Sequence, residues 1–241
     1  MSSAKEEASA ADSLAPAVPA FMRNYHEVLR NDLQYELRPR LLAGDRAGFA
    51  QAWRDFALAI AVHAAMEDGV PGVAQGTTAM LDHYFDGQAG AQVFADEHRL
   101  EHQAQDAVTA ALAADFDTLS AAFSAYHQLA EAHLLHEEEV LQPLVMQLPN
   151  PKAPIFREWV LPAGLAHDGF EHFLAHGVRS LAAYGSAKNP PAVATRVFLH
   201  SLQAVSGPQQ WPALLPVARA AAPTAIWQAV LAEVPELDPC R

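Results

Sequence analysis

Two stretches of the chain place a histidine four residues ahead of a glutamate: His63 before Glu67, and His133 before Glu137. On a helix that spacing puts both side chains on one face, about 6 Å apart at their Cβ atoms, so both reach one point. Each pair also ends an apolar stripe. Phe49, Trp53, Phe56, Ile60, His63 and Glu67 follow one another at alternating steps of four and three, as do Leu119, Phe123, Tyr126, Ala130, His133, Glu137, Val140 and Leu144. Such steps mark the buried seam of a packed helix. An ionised carboxylate in that seam costs several kcal/mol unless compensated, and a metal cation is the usual compensation.

Two further segments carry matching groups. Met22, His26, Leu29 and Leu33 step four-three-four, which puts His26 on an inner stripe, and Phe94, His98 and His102 follow at successive steps of four. A strict continuation of the seam from His98 lands on Glu101 instead, so either Glu101 or His102 faces inward. The legs from His26 to the end of its helix and from the next helix start to His63 are about equal, 16 and 17 residues, at 1.5 Å per residue. The legs joining His98 and His102 to His133 agree within about a turn as well. Six or seven ligand-type residues therefore meet at one height of an up-down-up-down bundle, and the spacing predicts a buried metal site.

His26, His63-x-x-x-Glu67, His98-x-x-x-His102 and His133-x-x-x-Glu137-Glu138, the last inside HLLHEEEVLQP, resemble the hemerythrin-like (HHE cation-binding) family over about residues 20–147. The resemblance implies two non-haem irons joined by an oxo or hydroxo group and bridged by Glu67 and Glu137. It implies His98, His102 and His133 on one iron, and His26 and His63 on the other, which keeps a position open for dioxygen. The apolar stripe favours Glu137 over the adjacent Glu138 as the bridge, and His136 lies off the seam. Manganese and zinc suit the same residue types.

The elements that position these groups are all helical by pattern, with no sustained alternation. The expected fold is an all-α four-helix bundle with appended C-terminal helices. Helices are expected over about Pro19–Leu42, Arg46–Asp68, Ala91–Ala113 and Thr118–Gln147, with Gly44, Asp45, Gly69 and Pro149 as stop and start signals. Gly69–Gly90 has poor periodicity and reads as a long connection, in which Met80, Tyr84 and Phe85 are candidates to wall a pocket. Residues 1–18 read as a disordered arm, 19–148 as the bundle, and 149–241 as a helical extension that packs on the bundle or makes a homodimer contact. There His167, Glu171, His172 and His176 also have ligand spacing, but no apolar seam leads into them, and a solvated or subunit-contact face is expected.

Composition excludes several classes. With 15 Lys+Arg against 28 Asp+Glu the net charge is −13, the wrong sign for a protein that wraps nucleic acid. Three prolines interrupt the longest uncharged run, Val197–Ala218, which is no spanning helix, so no membrane partner is expected. One cysteine and no export signal fit a cytoplasmic protein. His98-Arg-Leu-Glu101-His102 also matches the H-x-x-E-H of inverzincin peptidases, but that reading leaves His26, His63, Glu67, His133 and Glu137 unexplained. Imidazole-rich ligation favours reversible capture of dioxygen or a related small molecule over splitting it. The expected function is therefore an oxygen-binding or sensing di-iron protein. A di-iron oxidase or peroxide-consuming enzyme is the alternative.

Overall fold

The computed structural model describes residues 19–238, with side chains from Met22 onward. The arm expected over residues 1–18 lies outside them, as does Cys240. Among the described residues the chain is all-helical, with one isolated bridge between Val70 and Ala74 in place of any sheet.

The first helix, α1 (Pro19–Asn31), runs into a π-helical segment, Asp32–Leu37, and continues as α2 (Arg38–Leu42). The single helix expected over about Pro19–Leu42 is thus divided by a π-helical segment. The wider turn carries Asp32 inward, where its buried carboxylate meets His176 at 2.6 Å. The Asp45 side chain accepts from the Gly48 amide and starts α3 (Arg46–Asp68), which ends at Gly69 with φ of 84°.

Gly69–Gly90 is not simply a connection, because it contains α4 (Gly76–Tyr84). Its buried residues, Thr77, Thr78, Met80 and Leu81, are nearly consecutive and give no amphipathic stripe to read. This helix clamps the end of α3: the Thr77 and Thr78 hydroxyls donate to the Met66 and Glu67 carbonyls. A Cβ on Gly76 would stand 2.4 Å from the Glu67 carbonyl oxygen, so only glycine allows that approach. Asp82 accepts from the Gly90 and Ala91 amides and sets the start of α5 (Ala91–Ala111). Asp115 caps α6 (Phe116–Gln147) through the Thr118 amide.

Five helices follow: α7 (Ala153–Trp159), α8 (Leu161–Ala166), α9 (Phe170–Tyr184), α10 (Pro191–Ala221) and α11 (Thr224–Glu233). The longest, α10, is kinked at Gly207, whose φ is 65°. Arg157 donates to the Ala204 and Val205 carbonyls just before the kink. Beyond it, Pro208, Pro212 and Pro216 recur every four residues on an exposed face, so the carbonyls deprived of donors are solvated and the helix continues.

Helices α5 and α6 pack along each other, α1 lies against α6, and α3 touches α5. Helix α9 packs on both α1 and α3 and is backed by α10. One continuous apolar core joins all of these helices. No helix among the described residues is long and apolar enough to cross a membrane.

Candidate metal centre

Four helices deliver side chains to one buried point: α1 brings His26, α3 brings His63 and Glu67, α5 brings His98, and α6 brings His133 and Glu137. All six are buried. They form two groups of four, His26, His63, Glu67 and Glu137, and Glu67, His98, His133 and Glu137. Within each group one donor atom per residue lies within 4.8 Å of the others. Both glutamates belong to both groups.

Glu137 lies at the middle. Its Oε2 is 3.2 Å from His26 Nε2 and 3.9 Å from His63 Nε2, and its Oε1 is 3.2 Å from His133 Nε2 and 3.6 Å from His98 Nε2. Glu67 Oε2 is 3.3 Å from both His63 Nε2 and His98 Nε2. Despite these approaches, all four Nε2 atoms and all four carboxylate oxygens are buried without a hydrogen bond. Leaving so many buried polar atoms unpaired costs about 1–3 kcal/mol each. Cations between the donors would satisfy them together, so the residues present fit a pair of metal ions.

The outer nitrogens are held. His98 Nδ1 bonds Asp68 at 2.8 Å, His133 Nδ1 bonds Glu97 at 2.8 Å, and His26 Nδ1 bonds Glu138 at 3.1 Å. The second Glu97 oxygen bonds His136, and Arg30 donates to both Glu138 and Glu131. A carboxylate on the outer nitrogen of a ligand imidazole orients the ring and makes it more basic. His63 is steadied instead by the Tyr25 ring, stacked at 5.8 Å.

Burial opposes charge at His26 and His133, but the facing Glu137, joined at His26 by Glu138, outweighs it and raises both imidazoles to about 9. Asp68, Glu137 and Glu67 overcome the same burial cost at His98 and push it up to about 12. Burial and the charge of Glu137 raise Glu67, whereas the imidazoles hold Glu137 well below the usual carboxylate range despite its burial.

His102 does not join the site. Its side chain is 74% exposed and reaches only Asp106, at 3.5 Å. Two steps of four carry His102 about 80° past Phe94 around the helix, whereas Glu101, seven residues on, falls about 20° short of it. Glu101 accordingly is buried, and it accepts the Tyr126 hydroxyl at 2.9 Å. Glu138 lies beside the centre, orienting His26.

Sequence reasoning passed over Asp68 and Glu97 as partners of the imidazoles. Each lies off its helix's apolar stripe, and only the neighbouring helix turns it into a contact. His172 and His176 are partly buried and bond the Asp55 carbonyl oxygen and Asp32, which ties α9 to α3 and to the π-helical segment.

A cavity of about 20 Å³ adjoins His63 and Glu67. Its apolar wall includes Met22, Tyr25 and Met66 on one side and Phe156, Val160 and Phe173 from the C-terminal helices on the other. Thr77 is the one wall residue from α4; Met80, Tyr84 and Phe85 do not line it. No protein-family model, curated protein or solved structure matches the chain.

Proposed function

We propose that this is a hemerythrin-like protein in which α1, α3, α5 and α6 form an up-down-up-down four-helix bundle around two non-haem iron ions. Each ion would take two imidazoles, with Glu67 and Glu137 shared between them. The observation that carries this reading is the pair of four-donor groups sharing two carboxylates, every inward atom of which lacks a hydrogen bond. Bound iron would supply redox-active positions for a small molecule.

The chain's own residues set what that molecule is. Asp68, Glu97 and Glu138 hold the rings so that the Nε2 lone pairs face inward. Tyr25 and Phe173, stacked at 3.7 Å, close the His63 side against solvent. The cavity there exceeds the roughly 10–15 Å³ needed for one water-sized molecule but is far below the roughly 300 Å³ of organic-substrate pockets. We therefore read the function as binding or sensing dioxygen or another diatomic, in a reducing cytoplasm. Four neutral imidazoles with two carboxylates form a less anionic ligand set than the four carboxylates of ferritin-like sites, which favours capture over cleavage.

Anaerobic loading with ferrous iron, followed by metal analysis and by visible absorption on admitting air, tests this. Two irons per chain and a charge-transfer band that reverses when oxygen is removed are expected. A chain that takes up no iron, or a loaded chain that develops no band, overturns the reading.

A further inference from the structure

Two buried tyrosines flank the centre, and their surroundings differ in a way that decides what each can do. Tyr25 stacks on His63, and its hydroxyl donates to the Phe173 backbone carbonyl at 3.1 Å. An amide carbonyl is too weak a base to take a phenolic proton. Tyr126, on the opposite side, donates to the Glu101 carboxylate at 2.9 Å, and both residues are buried. Glu101 is one helical turn from His98, and Tyr126 is about 10 Å along its helix from His133. Against Tyr126 stands Trp53, edge to face with ring centroids 5.0 Å apart. The Trp53 indole N–H in turn donates to Thr109 at 3.0 Å, and Thr109 is exposed. Two oxidisable rings in contact, both buried and one of them paired with a base, thus lead from beside the centre toward exposed Thr109.

The geometry points to a proton-coupled electron relay, Tyr126 with Glu101 as its proton acceptor and Trp53 as its outer member, that returns electrons to the metal pair after a peroxide has oxidised it. This rests on the metal-binding reading above. Bound iron would supply the two electrons that, with two protons from solvent, reduce hydrogen peroxide to two waters. Tyr126 then gives up one electron while its phenolic proton crosses to Glu101, leaving a neutral tyrosyl radical and a neutral carboxylic acid. Proton transfer needs donor and acceptor within about 2.6–3.2 Å, which this pair meets. Trp53 next gives one electron to Tyr126, the proton returns from Glu101 to the phenolic oxygen, and Trp53 is left as a radical cation whose N–H stays on Thr109. Trp53 is itself buried, so a soluble one-electron reductant such as ascorbate refills it from the surface at exposed Thr109, 3.0 Å from the indole nitrogen. Each pass moves one electron inward with no net proton, and two passes restore the pair. The further function is peroxide consumption that spares the centre from lasting oxidation.

The test is freeze-quench electron paramagnetic resonance on iron-loaded protein mixed with hydrogen peroxide, with metal content measured on the same samples. An organic radical whose spectrum narrows when ring-deuterated tyrosine is incorporated is expected. It should vanish in Tyr126→Phe and persist in Tyr25→Phe. Trp53→Phe should lengthen the radical's lifetime in the presence of ascorbate. The deuterium measurement uses the unaltered chain and so does not depend on any variant folding. Loaded protein that shows no tyrosyl signal, or an unchanged signal in Tyr126→Phe, overturns the relay and leaves the metal site standing. A chain that binds no iron removes both.

Discussion

The two halves of the centre share their carboxylates and differ in almost everything behind them. On the His98 and His133 side both rings are fixed by carboxylates, and Glu97 is itself fixed by bridging His133 and His136. Behind that half lies packed aromatic core, with Tyr126, Trp53 and Phe56 in mutual contact. On the other side His26 is held through Glu138 and Arg30, while His63 faces a stacked ring and a small cavity. On the function proposed above, one half would hold and the other admit. Helix α9 supplies Phe173 to the admitting half, which gives the C-terminal helices a part in the site beyond enlarging the core.

The largest effect should come from the group both halves share. Glu137→Ala removes the acceptor facing all four imidazoles, and metal analysis should find the loss of both ions. His63→Ala should cost only the ion of the admitting half. If Glu137→Ala kept one firmly bound ion, the halves would be independent sites and the shared-bridge geometry would be wrong.

The next effect separates the halves by their outer carboxylates. Glu97→Gln and Asp68→Asn should each weaken metal binding by about 10- to 100-fold, the usual cost of losing such a partner. Competition with a chelator measures it. Glu138→Gln should cost less, because its bond to His26 is longer, 3.1 Å against 2.8 Å, and the same oxygen also accepts from Arg30. Equal losses for all three would erase the distinction between the halves.

How much of this was legible beforehand follows from where each residue sits relative to a stripe. His63, Glu67, His133 and Glu137 each end a long run at steps of four and three, and a buried polar residue in such a run has few explanations besides a ligand. His26 needed the added argument of matched heights. His102 misled because a repeat of His at four residues looks like a ligand pair, while the seam of α5 steps by three after His98. Helix α4 was hidden because a short helix buried on nearly every side carries no periodic signal. The cavity depends on Phe156, Val160 and Phe173, brought to His63 by folding over about a hundred residues of chain, and no local pattern announces that. The resemblance to hemerythrin-like proteins supplied an expectation of three imidazoles against two; the helix geometry replaces it with two against two.

Acidity should distinguish empty from loaded protein. His26 and His133, raised to about 9, stabilise the metal-free fold fully below their unfolded value of about 6.5, and that contribution fades as the pH climbs through about 9. Metal must displace these protons, so affinity should strengthen over the same window and loading at neutral pH should release protons. Thermal melts of metal-free protein should therefore fall between about pH 6.5 and 9 while those of loaded protein do not. Parallel trends would show that the imidazoles are not shared between proton and metal.

A smaller change tests admission alone. Val160→Leu adds one methylene to the wall of the 20 Å³ cavity without touching a ligand. Overpacking costs about 1–3 kcal/mol, and if that cost falls on the bound state, oxygen or nitric oxide binding should weaken by about 5- to 150-fold. Metal content should not change. Unaltered binding would mean that the small molecule enters by another route, and the cavity would lose its assigned part.

The smallest expected effect bears most directly on the count of ligands in each half. His102→Ala should change neither metal content nor oxygen affinity, and should move stability by no more than about 0.5 kcal/mol, as for exposed positions generally. Its side chain stands in solvent beside Asp106, and bringing its ring inward would require rotating α5 by about 80°, which would pull Glu101 off Tyr126 and Phe94 out of the core. Chelator competition and absorption spectra on the variant decide it. Loss of an ion would show that loading turns α5 and that the holding half carries three imidazoles; unchanged loading leaves two on each side, and the asymmetry between the halves then rests on what stands behind the ligands.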